Sequence, residues 1–261
     1  MTFAPIADPA APLARRNPVA KLGAALLFSL PLIATVDPLT PALALLVELA
    51  VLPFFGVRYR ALARRAAPLL LAAGGVLVTL TLFAAERSGT LLVSLGPFDI
   101  TTGVLTSAAG LILRIFAVAL PGIVVFATTD PTDLADALVQ NAKAPARFAI
   151  GALAAFRLLP LLGQEWRSLT LARRARGVEA GHNPVVFAST AFALLVAALR
   201  RGGRLAVAMD ARGFDSTAPR THARRQHFTA ADTALLTCAV TAATAILTLS
   251  LALGVFRPVV G

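Results

Sequence analysis

The sequence predicts an all-α polytopic membrane protein, with about five transmembrane helices and a cytoplasmic or interfacial module of further helices. Three observations carry this. Of the 261 residues, 57% are hydrophobic and the mean hydropathy is +0.79, beyond a soluble globular domain. Several apolar runs approach the roughly 20 residues that an α-helix needs to cross a bilayer. The 24 basic residues, against 13 acidic ones, are gathered into particular loops rather than spread evenly. The positive-inside rule gives a spanning chain that pattern.

Spans are read at 19–36, 39–56, 67–85, 103–127 and 231–254. Residues 1–14 hold no basic stretch and no clear cleavage site. Arg15 and Arg16 precede the first apolar segment, which reads as a retained signal anchor. Pro31 predicts a kink in the first span, and Asp37-Pro38 a tight hairpin into the second. Between spans three and four, Gly89-Thr90 and Gly96-Pro97 bracket the run 91–95, which fits a re-entrant or strand-like segment. With the N-terminus inside, 21 of the 24 basic residues fall on the cytoplasmic side. Arg87 and Arg257 lie outside, and Arg114 lies within the fourth span.

The run 185–199 has only about fifteen apolar residues, a length at which buried or interfacial helices outnumber spans. Arg173, Arg174 and Arg176 precede it; Arg200, Arg201 and Arg204 follow it. Both flanks are basic, so it reads as part of a long helix in or beneath the inner interface. The chain thus divides into an N-terminal membrane region, 1–127, a cytoplasmic helical region, 128–229, and a last span with its tail, 230–261.

Helix punctuation in the middle region is legible. Asp130 can cap free amides, Pro131 fits the first helical position, and Asp133 suits the positive helix end. Pro145 opens a helix over 146–158, which Pro160 is expected to kink or restart. A further stretch runs through Trp166 and stops at Gly177. Asn183-Pro184 opens the long helix, which runs to Arg212, stops at Gly213 and has Gly202-Gly203 as a place to bend.

Two tripeptides stand out here: Ala175-Arg176-Gly177 and Ala211-Arg212-Gly213, 36 residues apart. Each ends a basic, apolar-faced helical stretch. They fit ordinary helix ends with Gly at the cap. They also fit two docking points: Arg offers a carboxylate a rigid fork, and the small flanking residues let a partner's backbone come close.

The ordered set of motifs resembles the transmembrane coupling component of energy-coupling factor (ECF) transporters, the EcfT/CbiQ/BioN family. The residues that carry it are Asn17-Pro18-Val19-Ala20-Lys21-Leu22, Leu113-Arg114-Ile115, Thr128-Thr129-Asp130-Pro131-Thr132-Asp133-Leu134, Phe156-Arg157-Leu158-Leu159-Pro160 and Glu165. Ala172 through Gly177 and Ala208 through Phe214 complete it, so that it covers about 17–255. The resemblance implies a non-enzymatic subunit that joins two ABC ATPases to a small substrate-binding membrane protein, the S component. It implies that Arg176 and Arg212 form salt bridges in grooves of the two ATPases. It further implies that the connected coupling helices pass nucleotide-driven motion to the S component, for uptake of a vitamin, cobalt or nickel. The location implied is the bacterial inner or plasma membrane, multi-pass, with the N-terminus cytoplasmic.

The remaining candidates are few. Glu48 and Arg114 are charged residues deep in the spans at similar expected depth, and are read as an intramembrane pair locking spans two and four. Asp130, Asp133 and Asp136 have helical spacing and offer the alternative of a metal-dependent lipid or prenyl transferase, although a second Asp-rich segment is lacking. A self-sufficient transporter would show internal repeats, and none is evident. His182, His222 and His227 have no metal-ligand spacing, and the single Cys238 reads as a packing residue. Trp166 reads as an interfacial anchor, and Arg173 and Arg174 are also placed to meet anionic lipid. No catalytic residue, metal or cofactor is expected, and no nucleic-acid partner, since no recognition motif accompanies the net charge of +11. No phosphate-binding Gly loop is present, so ATP hydrolysis falls to partners.

Overall fold

The computed structural model describes residues 11–35, 37–83, 90–95, 98–178, 183–214, 216 and 221–256. The chain folds almost wholly as helix: α1 Pro18–Ile33, α2 Leu39–Val51, α3 Tyr59–Phe83, α4 Thr102–Thr128, α5 Pro131–Gln140, α6 Ala146–Ala175, α7 Pro184–Asp210 and α8 Ala230–Ala252. A 3-10 turn, Leu52–Phe55, continues α2, and two short strands, β1 Leu91–Leu95 and β2 Phe98–Thr101, pair antiparallel before α4. The strand-like reading of 91–95 is therefore the one the fold adopts. Arg87, Gly89, Gly96-Pro97, His182 and Arg257 lie outside the described residues.

Local sequence explains most of the helix ends. Asn17 accepts from the Val19 amide through its side chain, with Pro18 at the first helical position. Asn183 and Pro184 repeat the device at α7. Asp130 accepts from the Thr132 amide at 2.7 Å, which is the capping role foreseen for it. Pro160 does not restart a helix, because α6 runs unbroken from Ala146 to Ala175. The missing N–H removes a single rung of the ladder, and 30 residues of helix span the defect. Gly202-Gly203 lies inside the long helix α7, as expected of it. Pro31 stands in the last turn of α1, where its carbonyl accepts the Ala34 amide, so it marks the helix end rather than a mid-span kink.

Among the described residues five helices are long and apolar enough to cross a membrane: α3, α4, α6, α7 and α8. The number agrees with the sequence reading, but the membership differs. α1, with 16 residues, and α2, with 13, are shorter than a full span, whereas α6 and α7 reach 30 and 27.

Chain contacts separate two compact units, residues 1–134 with 226–261, and residues 135–225. In the first unit α4 is central, packing on α1, α2 and α3, while α8 lies against α1 and α2. One buried cluster joins Leu13, Leu52, Val57, Leu62, Leu120 and Val124. A second joins Phe28, Leu32, Ala44, Ala117, Ala243 and Ile246. Gly110 sets the register of α4 on the α1–α2 turn: a Cβ there would lie 3.3 Å from Pro38.

Polar groups pin the helix ends of this unit. Asp232, 1% exposed, accepts from the Asn17 amide at 2.9 Å and from the Thr229 amide and hydroxyl at 2.8 and 2.7 Å. The Asn17 side-chain amide donates to the His227 carbonyl. Lys21, 2% exposed, donates to the Thr128 carbonyl at 3.0 Å, placing a cation on the free carbonyls that end α4. At the other end Asp37 accepts from the Thr40 amide and hydroxyl, and that hydroxyl also lies 2.7 Å from the Ser250 hydroxyl.

Candidate functional site

The second unit is built on α6 and α7. Trp166 meets Phe187 edge to face, with ring centroids 5.3 Å apart at 62°. Glu165 and Arg201 form an ion pair at 3.0 Å, and Arg173 donates to the Ser189 hydroxyl. Trp166 and Arg173 are thus engaged in helix–helix contacts, beyond the anchoring and lipid roles expected of them. Arg173 meets Ser189 whereas the earlier Glu165 meets the later Arg201, so the pair crosses in an antiparallel sense and the two C-terminal ends point apart. At ~1.5 Å per residue, Arg212 lies ~35 Å along α7 from Ser189, and Arg176 lies ~5 Å beyond Arg173. The two arginines are therefore up to about 40 Å apart by the same rise.

Both ends close by one mechanism. At α6 the Gly177 amide donates to the Arg174 carbonyl and the Val178 amide to the Arg173 carbonyl, each at 3.0 Å. At α7 the Gly213 amide donates to Asp210 at 2.8 Å and the Phe214 amide to Met209 at 3.1 Å. This pair of bonds is the Schellman motif. It needs a left-handed residue just past the helix, and Gly177 and Gly213 supply it with φ of +75° and +71°. In each motif the arginine stands just before the left-handed glycine: α6 ends at Ala175 with Arg176 as its C-cap, and α7 ends at Asp210 with Ala211 as its C-cap and Arg212 next. The cap reading and the docking reading of the tripeptides are compatible, since the cap fixes where the guanidinium begins.

Arg176 and Arg212 are exposed and have no protein partner among the described residues. Each sits at the negative end of a helix dipole, which steadies the cation. Around them the helices are uncovered. Phe148, Leu171, Val185, Phe192, Leu199 and Val207 are all more than 60% exposed, and only Ala149 and Thr190 are buried on the two helices. Apolar surface of this extent marks contact with a partner or a membrane.

The expected Glu48–Arg114 pair does not form. Both Glu48 carboxyl oxygens are buried without a hydrogen-bond partner, as are Nε and Nη2 of Arg114. Register explains the miss. Gly110 abuts Pro38, so Arg114 lies ~6 Å past that contact and Glu48 ~15 Å past it, as helix rise gives. Asp37 is the acid whose charge acts on Arg114. Sequence reasoning also missed the Asn17–Asp232 clasp. The Thr229-Ala-Ala-Asp232 spacing is a capping-box pattern that could have signalled half of it. Among the described residues no group of three or more His, Cys, Asp and Glu is placed to hold a metal.

A family profile described as cobalt transport protein, CbiQ, matches residues 10–223. The chain belongs to the CbiQ family. Among relatives, this CbiQ-family chain is 29% identical over 201 residues to energy-coupling factor transporter transmembrane protein EcfT 1 of Listeria monocytogenes, covering 72% of this chain and 75% of that one. It is 32% identical over 142 residues to the EcfT protein of Limosilactobacillus fermentum, covering 50% and 53%. It is also 31% identical over 158 residues to a putative ABC transporter ATP-binding protein of Bifidobacterium longum, covering 56% of this chain and 20% of that one. Apart from the Listeria monocytogenes match, the EcfT alignments described here span about half of the relative's length. This CbiQ-family chain is thus a multi-pass membrane protein of a transporter family.

Proposed function

We propose that this chain is the coupling subunit of an ECF-type ABC importer, linking two ATPase subunits to a substrate-binding S component. The observation that carries it is the pair of Schellman-capped ends, each presenting an exposed arginine just before its left-handed glycine. Two like ends pointing apart suit two like sockets. A carboxylate in each socket would meet Arg176 or Arg212 through the guanidinium fork. The ATP-binding protein of Bifidobacterium longum that shares sequence with this chain supports an ABC context. The uncovered apolar lengths of α6 and α7 supply the surface for the S component.

In this reading residues 1–127 and 230–261 are the membrane region and 128–229 the coupling module, with the N-terminus cytoplasmic. α6 and α7 are less apolar than the spans, with mean hydropathy 1.5 against 2.0–2.3 for α3, α4 and α8. Arg157 and Arg167 on α6, and Arg200, Arg201 and Arg204 on α7, favour the inner interface over a crossing. The chain itself carries no catalysis; motion enters at the arginines and leaves along the helices. The cargo is a vitamin or a transition-metal ion chosen by the S component.

The test is co-purification from detergent with ABC ATPases encoded beside this chain. Wild type is expected to hold the complex, and Arg176→Ala/Arg212→Ala to lose it. A complex indifferent to both changes would remove the arginines from the interface. A folded wild-type chain that captures no ATPase would overturn the coupling role.

A further inference from the structure

The first unit contains a cavity that the coupling role does not use. It has a volume of about 210 Å³ and is bounded by α1, α2, α4 and α8. Sixteen of its eighteen lining residues are apolar, Phe28, Val51, Leu120, Val124 and Ala239 among them. The two others are Lys21 and Glu48. Lys21 is committed to the Thr128 carbonyl. Glu48 is not committed: both of its oxygens are shielded from solvent, and neither has a hydrogen-bond partner. A buried carboxyl without a partner carries the full desolvation cost. Native structures rarely leave such a group unmatched unless something outside the chain matches it.

The surroundings decide what that is. An apolar cavity of about 150 Å³ stays free of water and takes a hydrocarbon guest. This one is larger, opens to the outer surface of the helices, and is nearly as apolar apart from Lys21 and Glu48. Its walls belong to helices whose neighbouring side chains, Leu26, Leu27 and Leu46, are exposed toward what would be lipid. The phase that can fill it is the bilayer.

We propose that this cavity binds the chain of a single-tailed membrane amphiphile whose head group carries a hydroxyl, the hydroxyl hydrogen-bonding to Glu48. Apolar walls take the alkyl chain, and Glu48 supplies the polar anchor that distinguishes this guest from bulk lipid. Cys238, the one cysteine of the chain, lines the same cavity and reports on occupancy. The inference needs the membrane setting of α1, α2, α4 and α8 but not the coupling role of α6 and α7.

The test uses the full chain in phosphatidylcholine vesicles, with a diazirine-bearing dodecan-1-ol as probe and a diazirine-bearing dodecane as the head-less control. Labelled peptides are mapped by mass spectrometry, and Cys238 alkylation by a membrane-soluble maleimide is timed in parallel. The alcohol is expected to label the cavity walls saturably and to slow Cys238 alkylation. Glu48→Leu should cut that labelling about five- to tenfold, the range of one hydrogen bond. Glu48→Gln, which keeps an acceptor, should retain most of it, and the head-less probe should not respond to either change. Equal labelling by both probes, labelling unchanged in Glu48→Leu, or labelling spread evenly over the lipid-facing helices would each overturn the proposal. A chain that fails to fold as Glu48→Leu is distinguished by Glu48→Gln and by the two-probe comparison in wild type.

Discussion

Replacing Gly177 by Ala separates the shape of a helix end from the charge it carries. Gly177 has a φ of +75°, and a Cβ built there meets no atom within 4 Å. The change therefore costs nothing in packing and acts only through the backbone. Holding a non-glycine residue in the left-handed region costs about 1–2 kcal/mol. Ala175 through Val178 are exposed and follow the last contact of this helix with α7, Arg173 on the Ser189 hydroxyl. Free protein is thus expected to relieve the strain by releasing the cap bonds beyond Arg173, leaving the melting temperature unchanged. Docking must restore the cap, so the cost reappears in affinity. About 1–2 kcal/mol corresponds to roughly 5- to 30-fold weaker ATPase binding. Gly177→Asn should fall between wild type and Ala, because Asn tolerates this region better. The assay is titration of each variant with purified ATPase, beside thermal unfolding in the same detergent. Unchanged affinity in Gly177→Ala would refute the claim that a pre-formed cap is what the partner reads. A lowered melting temperature with unchanged affinity would refute the claim that this end is free.

Three further predictions follow from the packing. Asp232→Ala strips the acceptor from the buried Asn17 amide and from two part-buried Thr229 donors that water can reach, and should destabilise the chain by about 1–3 kcal/mol in denaturant unfolding. A loss below about 0.5 kcal/mol, the level of an ordinary surface change, would mean that the Asn17–Asp232 clasp does not hold α1 to α8. Gly110→Val forces atoms into the 3.3 Å approach to Pro38 and should cost about 1–3 kcal/mol, while Gly110→Ala should cost less; equal stability of all three would place the α2–α4 contact elsewhere. Glu165→Arg and Arg201→Glu should each reduce coupled transport, and the double exchange should restore part of it. The partly exposed pair should move stability by only about 0.2–1 kcal/mol, and no rescue in the double variant would sink the pairing.

The sequence was a good guide where free energies are local. Asn17-Pro18, Asn183-Pro184, Gly177 and Gly213 act within one helical turn, and each ends or begins a helix where its chemistry places it. The long apolar stretches also read directly, since hydropathy sums along the chain. Single residues misled where a local rule met a longer structure. Pro160 was expected to kink or restart a helix, yet no restart occurs, since one missing hydrogen bond is small against 30 residues of cooperative ladder. Length was misjudged in places: α1 and α2 stop short of the runs that predicted them and α6 continues past 158, while α7 keeps to the long helix expected of it.

What the sequence by itself determined is the class of protein, its helices and the two arginine-bearing caps, because composition and capping depend on neighbours in the chain. What only the tertiary structure decided is which distant groups meet. Glu48 and Arg114 share a span-like setting and opposite charge, but the close contact of Gly110 with Pro38 offsets them by roughly 9 Å of helix rise. Asp232 reaches across 215 residues to Asn17, and Glu48 faces a cavity instead. Register between helices is set by the fit of side chains across the interface, and a one-dimensional pattern of charges does not contain it.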